Sequence, residues 1–319
     1  MLETTKSGAT IFVVLRGDHT GLVPDTDIHP ELRSTARFVP RKLIYPWTLP
    51  VLRRLTALQR PSGDGVEVLT LPSGVGIRLH RPSGAAARGP ALLWIHGGGY
   101  VLGSPAQDDI LCRRFADTLG ITVAAVRYRL APEHPHPAAL EDCYSALQWL
   151  AGLPAVDPDR IAVGGSSAGG GLAAALALLT RDRAEINPVL QLLVYPMLDD
   201  RTVGRHLDDT GHRLWNATSN RFGWRSYLGA ADPAVAVPAR RTDLAGLPPA
   251  WLGVGTLDLF HDEDLEYARR LQAAGVPCEV HLVRGAFHGF DGIAPKASIS
   301  RQFFESQCAS LRDHMAVAV

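Results

Sequence analysis

From Val66 onward two hydrophobic rhythms alternate along the chain. Short apolar runs bounded by glycine, proline or charge recur at Ala91–Ile95, Ile121–Val126, Arg160–Gly164, Val189–Tyr195, Ala250–Val254 and Glu279–Val283. Such runs suit strands covered on both faces. Val66–Leu71 and Val75–Arg81, joined by Pro-Ser-Gly, read as an opening hairpin. Between the runs, apolar residues return every three or four positions. Leu140, Cys143, Tyr144, Leu147 and Leu150 make one stripe; Ile299, Phe303, Phe304, Leu311 and Met315 make another. These are amphipathic helices. Ala168–Thr180 is apolar all round, as expected of a helix buried against the sheet centre. The alternation predicts an α/β fold, a mostly parallel central sheet flanked by helices.

Two segments fall outside the alternation. Residues 1–60 contain a helix-like piece with Val51, Leu52, Leu55 and Leu58 on one face. Residues 197–240 form an insertion rich in aromatic residues, among them Trp215, Phe222, Trp224 and Tyr227. Parallel sheets bind ligands at the carboxyl ends of their strands, so extra segments there read as a helical cap. The expected organisation is an N-terminal cap segment (1–60), core (61–196), cap insertion (197–240) and core again (241–319). Tyr100, Trp215, Phe222 and Trp224 are the candidate substrate contacts. Arg33, Arg37, Arg41, Lys42, Arg53, Arg54 and Arg60 crowd the first segment, while Asp199, Asp200, Asp208 and Asp209 cluster in the insertion. Attraction between the two cap pieces is one expectation; solvated faces are the other, since exposed pairs contribute only about 0–1 kcal/mol each.

Composition narrows the function. Lysine plus arginine and aspartate plus glutamate both number 32 in 319 residues, which argues against a nucleic-acid partner. The longest nearly pure apolar run, Ala168–Leu179, is too short to span a membrane, so no stable insertion is expected. Ile11–Leu15 is too short for a signal-peptide core, and Arg16 and Asp18 follow at once. A cytoplasmic protein is expected. Cys112, Cys143, Cys278 and Cys308 are scattered and read as reduced thiols. No helical His-x-x-x-His pair occurs, and neither a metal nor a cofactor is expected.

The chemistry lies in two motifs. His96-Gly97-Gly98-Gly99-Tyr100 follows the strand Ala91–Ile95 and can aim bare backbone N–H groups at an oxyanion. Downstream, Gly165-Ser166-Ser167-Ala168-Gly169 can hold a serine hydroxyl on a sharp strand-to-helix turn. In this order they point to a serine hydrolase of the α/β-hydrolase type. Ser167 is the candidate nucleophile. Ser166 also has a glycine two residues before it, but Ala168, not glycine, two residues after. Gly97, Gly98 and Ala168 are the candidate oxyanion donors, and His96 reads as a brace for their loop. Asp258 and His288 follow the strands ending near Val254 and Val283, at the same edge as Ser167. The order serine, acid, histidine is that of α/β-hydrolases. His288 would take the serine proton, with Asp258 fixing its tautomer. Asp262 and Asp264 compete for the acid role but read as the start of a helix; His261 and His281 read as structural.

With these residues the chain closely resembles the hormone-sensitive-lipase-like family of microbial esterases. The matching blocks are His96–Ser104, Tyr128–Asp142, Gly165–Gly170, Asp258–Glu263 and Phe287–Phe290. The likeness covers roughly residues 66–315. It implies the triad Ser167–Asp258–His288 and the oxyanion hole of Gly97, Gly98 and Ala168. It also implies a mainly helical cap, cofactor-independent cleavage of short- to medium-chain carboxylic esters, and frequent homodimers. Two departures stand out: Ser166 occupies a position usually Asp or Thr, and Leu259 replaces a proline of the acid loop. An amidase or deacetylase with the same triad is the alternative activity, because oxyanion chemistry does not separate ester from amide. A non-catalytic small-molecule receptor is disfavoured by the intact histidine.

Overall fold

The computed structural model describes residues 27–40, 48–57, 65–82, 88–204 and 212–317. The apolar runs form one eight-stranded sheet: β1 (Val66–Thr70), β2 (Gly76–His80), β3 (Gly89–Ile95), β4 (Thr122–Arg127), β5 (Val156–Ser166), β6 (Leu190–Val194), β7 (Ala250–Gly255) and β8 (Cys278–Val283). Their spatial order is β1-β2-β4-β3-β5-β6-β7-β8. The first two pairings, β1/β2 and β2/β4, are antiparallel, and all others are parallel. β6 and β7 are buried at every position, and β3 and β4 at nearly every one, as strands covered on both faces must be.

The helices are α1 (Arg33–Ala36), α2 (Leu49–Ala57), α3 (Asp109–Leu119), α4 (Ala138–Ala151), α5 (Ala168–Arg183), α6 (Ala217–Leu228), α7 (Pro233–Ala236), α8 (His261–Ala273), α9 (Phe290–Ile293) and α10 (Ser298–Met315). Their ends follow local chemistry. Gly120 closes α3 in the left-handed conformation, and the Asn216 side chain opens α6 by accepting from the Ser219 N–H at 2.9 Å. The α4 and α10 stripes face the core, and α5 is buried along most of its length.

Connectivity places the crevice. After β3 the chain pairs β4 on one side, then returns to pair β5 on the other. Loops leaving the carboxyl ends of β3 and β5 therefore diverge, and ligands bind at such a switch point. His96–Tyr100 follows β3 and Ser167 follows β5.

Two expectations need correction, and a third is described only in part. β5 begins at Val156, not Arg160, because Val156 pairs with Gly89 across a register shift; Pro158 hides this extension from a reading by pattern. Val51 is 58% exposed, and Leu49 is buried instead. Asp199 and Asp200 pair with Arg201 and Arg240 of their own insertion, while Arg53 reaches Glu133 in the core. Among the described residues these acids take up arginines of their own segment. The side chains of Leu55 and Leu58 and the run Ile11–Leu15 lie outside what is described, as do Arg41, Lys42, Arg60, Asp208 and Asp209, on which attraction between the two segments also rests.

Candidate active site

Ser167 sits between β5 and α5 with φ 57° and ψ −120°, a conformation that side chains rarely adopt. Three hydrogen bonds hold it there. Its N–H donates to Val194 O at 2.9 Å, and its carbonyl accepts from Gly171 N–H at 3.0 Å and Met197 N–H at 2.9 Å. The turn can be this tight because backbone meets backbone. A Cβ on Gly165 would lie 2.5 Å from Ile95 O, and one on Gly169 would overlap that same oxygen.

The other two candidate groups converge on this turn. His288 Nε2 lies 2.9 Å from Ser167 Oγ, and His288 Nδ1 lies 2.8 Å from Asp258 Oδ2. Asp258 Oδ1 accepts from the Phe260 N–H at 3.0 Å, which fixes the carboxylate plane. All three residues are buried. The Tyr195 and Phe260 rings meet the imidazole edge-on, with centroids 4.8 and 5.2 Å away. The competing acids stand elsewhere: Asp262 bonds the His261 ring from the start of α8, and the buried carboxyl of Asp264, also in α8, has no hydrogen-bond partner among the described residues.

Beside the serine, a Cβ on Gly97 would lie 3.3 Å from Ser167 Cβ, so this loop runs directly along the nucleophile. Gly98, Gly99 and Tyr100 all have positive φ, which curls the loop back on itself. His96 Nδ1 lies 2.8 Å from Gly97 O. Burial pushes the His96 pKa down to about 4, so the neutral ring donates from Nδ1. A carbonyl held toward His96 turns the N–H of the same planar peptide, that of Gly98, the opposite way. Tyr128 completes the brace, stacking on His96 and donating its hydroxyl to His96 O at 3.0 Å. Ala168 is the first residue of α5, so its N–H has no intrahelical acceptor.

The four candidate substrate contacts separate. Trp215 lies over Gly99, where a Cβ would overlap its ring, and Phe222 is half-buried. Tyr100, Trp215 and Trp224 are all buried, but Tyr100 and Trp224 pack on each other. The Tyr100 hydroxyl donates to Met197 O at 3.0 Å, its ring stacks on Tyr227 at 4.0 Å, and Trp224 tilts against both. These two aromatic residues belong to the packing beneath the cap insertion, which a pattern of aromatic residues cannot distinguish from a pocket wall.

Several residues in and around the site have roles that the sequence does not assign. Tyr195, at φ 36° just past β6, donates its hydroxyl to Asp291 Oδ1 at 2.8 Å behind His288. Its place at the carboxyl end of a central strand was the available signal. Glu263 accepts from the N–H groups of Leu198 and Asp199 at 2.8 and 3.1 Å and from the Thr202 hydroxyl, tying α8 to the insertion. Burial pushes its carboxyl up to about 8. Asp108 accepts from the Trp94 indole at 2.8 Å and is pushed up to about 7, again by burial.

A family model described as the alpha/beta hydrolase fold matches residues 92–292. The chain belongs to the alpha/beta hydrolase fold family. Within this family it falls among the hormone-sensitive-lipase-like esterases. Esterase LipI of Mycobacterium tuberculosis is 36% identical over 274 residues, covering 82% of this chain and 81% of the relative. Ethyl acetate hydrolase of Pseudomonas putida is 37% identical over 236 residues, 69% and 71% of the respective chains. Among solved structures, a bacterial heroin esterase superposes with a TM-score of 0.82 at 36% identity, covering 92% of this chain and 99% of the other. No helix among the described residues of this alpha/beta hydrolase is long and apolar enough to cross a membrane.

Proposed function

We propose that this alpha/beta hydrolase cleaves short- to medium-chain carboxylic esters through an acyl-enzyme on Ser167. The observation that carries the reading is the unbroken relay from Ser167 Oγ through His288 to Asp258, at 2.9 and 2.8 Å. His288 Nε2 takes the hydroxyl proton as Oγ attacks the ester carbonyl, and the negative oxygen rests on the N–H groups of Gly97, Gly98 and Ala168. The proton then passes to the alcohol, which departs. Water, deprotonated by the same nitrogen, attacks the acyl-serine, and the carboxylic acid leaves as Oγ regains its proton. Asp258 holds the Nδ1–H tautomer and stabilises the imidazolium in both halves.

In this scheme residues 197–240 act as a cap over the carboxyl ends of the strands, with residues 1–60 as a second piece of it. Trp215, pressed on Gly99, stands nearest the oxyanion loop and sets the room for one side of the ester. A cytoplasmic setting is supported by four free cysteines, three of them buried. The test is a chain-length series of p-nitrophenyl esters run on wild type and Ser167→Ala. The substitution should lower turnover by about 10⁴-fold or more at every chain length, and matched anilides should turn over far more slowly than the esters. Wild-type rates in Ser167→Ala would exclude the scheme.

A further inference from the structure

Away from the triad, a cavity of about 320 Å³ opens between the cap insertion and α8, and three guanidinium groups line it: Arg201, Arg240 and Arg270. Most charges around it cancel in pairs. Asp199 holds Arg201 by a two-pronged bond at 2.8 and 2.9 Å, and Asp200 holds Arg240 likewise at 2.6 and 2.8 Å. Glu266 on the rim is held by Arg269 at 2.7 and 2.9 Å. Arg270 is left over. Among the described residues it has no carboxylate within ion-pair distance, and its two amino groups donate to the carbonyls of Ala239 and Arg241.

Hydrogen-bond donors are also in excess. The two-pronged bonds use Nε and Nη2 of Arg201 and Arg240, which leaves the Nη1 amino group of each without an acceptor among the described residues. The inner wall is Tyr267, whose buried hydroxyl has no partner among the described residues. Glu263, also in the lining, is pushed up to about 8 by burial and stays neutral near pH 7, so it does not repel an anion. From these observations we infer that the cavity is a binding site for an oxyanion, the phosphate or carboxylate group of a small molecule, with Arg270 as its principal counter-charge. Guanidinium forks suit both groups. The site is separate from the Ser167 relay and does not depend on the esterase reading.

The test is titration calorimetry and thermal unfolding at pH 7 with inorganic phosphate in one arm and succinate in the other. Sodium chloride at matched ionic strength serves as the reference. Saturable binding of either anion, with a rise in Tm beyond that in chloride, is expected, and the arm that responds names the group. Arg270→Gln should weaken that binding about tenfold or more. Glu266→Gln changes an exposed rim residue outside the packing and should tighten binding about threefold by freeing the Arg269 charge that it offsets. That variant keeps the proposal testable should Arg270→Gln fail to fold. The proposal is overturned if neither anion binds above the chloride reference. It is equally overturned if the affinity is the same in Glu266→Gln as in wild type, or if a folded Arg270→Gln binds succinate unchanged, which would mark binding at the Ser167 site.

Discussion

The two sides of the active site are built by opposite means. On the nucleophile side, backbone packs on backbone: Gly165 and Gly169 press against Ile95 O, and Ser167 is held by main-chain bonds to Val194, Gly171 and Met197. On the histidine side, rings and carboxylates do the positioning: Tyr195 and Phe260 flank the imidazole, while Asp258 and the Tyr195–Asp291 bond stand behind it. The first kind of construction tolerates no added atom. The second can lose a group and keep its shape. Substitutions on the first side should therefore act on folding, and those on the second on rate.

The largest expected effect lies on the histidine side. Asp258→Asn should keep the fold and lower kcat by about 10⁴-fold, because the wrong tautomer is then held against Ser167. Circular dichroism alongside ester turnover checks both halves of that statement. Gly169→Ala forces a Cβ into Ile95 O and should cost about 3 kcal/mol or more in urea unfolding, with activity lost in step with the folded fraction. Loss of activity with stability intact would break the contrast. Tyr195→Phe keeps the ring against His288 but removes the bond to Asp291; kcat should fall by about tenfold, roughly one neutral-to-charged hydrogen bond, with Tm little changed.

Smaller effects sharpen the picture farther out. Burial raises the pKa of Glu263 from 4.5 to about 8 and raises that of Asp264 well above its ordinary value. Between pH 4.5 and 8 the folded chain thus keeps protons that the unfolded chain has released, so stability falls as pH rises through this window. Asp264→Asn should flatten that slope and raise stability at pH 8 by about 1–2 kcal/mol, read from denaturant curves across pH. Val51→Ser, on the exposed face of α2, should change stability by less than about 0.5 kcal/mol.

The same contrast explains what was legible in the sequence. Backbone-on-backbone packing requires glycine, and glycine at Gly97, Gly98, Gly165 and Gly169 is visible letter by letter. Apolar runs mark all eight strands, the half-exposed β1 and β8 included, but β5 is far longer than its run and β2, β3 and β6 each differ from theirs by two residues. The placing of Asp258 and His288 followed from strand ends. Tyr195 offered only its place at a strand end, and Asp291 no signal at all, because their bond and the edge-on ring contact leave no spacing in the chain. For the same reason the aromatic pattern does not separate Tyr100 and Trp224, which pack on Tyr227, from Trp215 against Gly99. The cavity beside α8 was equally hidden: Arg201, Arg240 and Arg270 come together only through the fold.

The most direct measurement is mass spectrometry of the intact and digested protein after reaction with an organophosphate that mimics the tetrahedral intermediate. One adduct per chain, on Ser167, is expected, forming far more slowly in Asp258→Asn and absent from Ser167→Ala, with ester turnover lost in proportion to labelling. An adduct on Ser166, or full esterase activity in protein labelled on Ser167, would contradict the central claim.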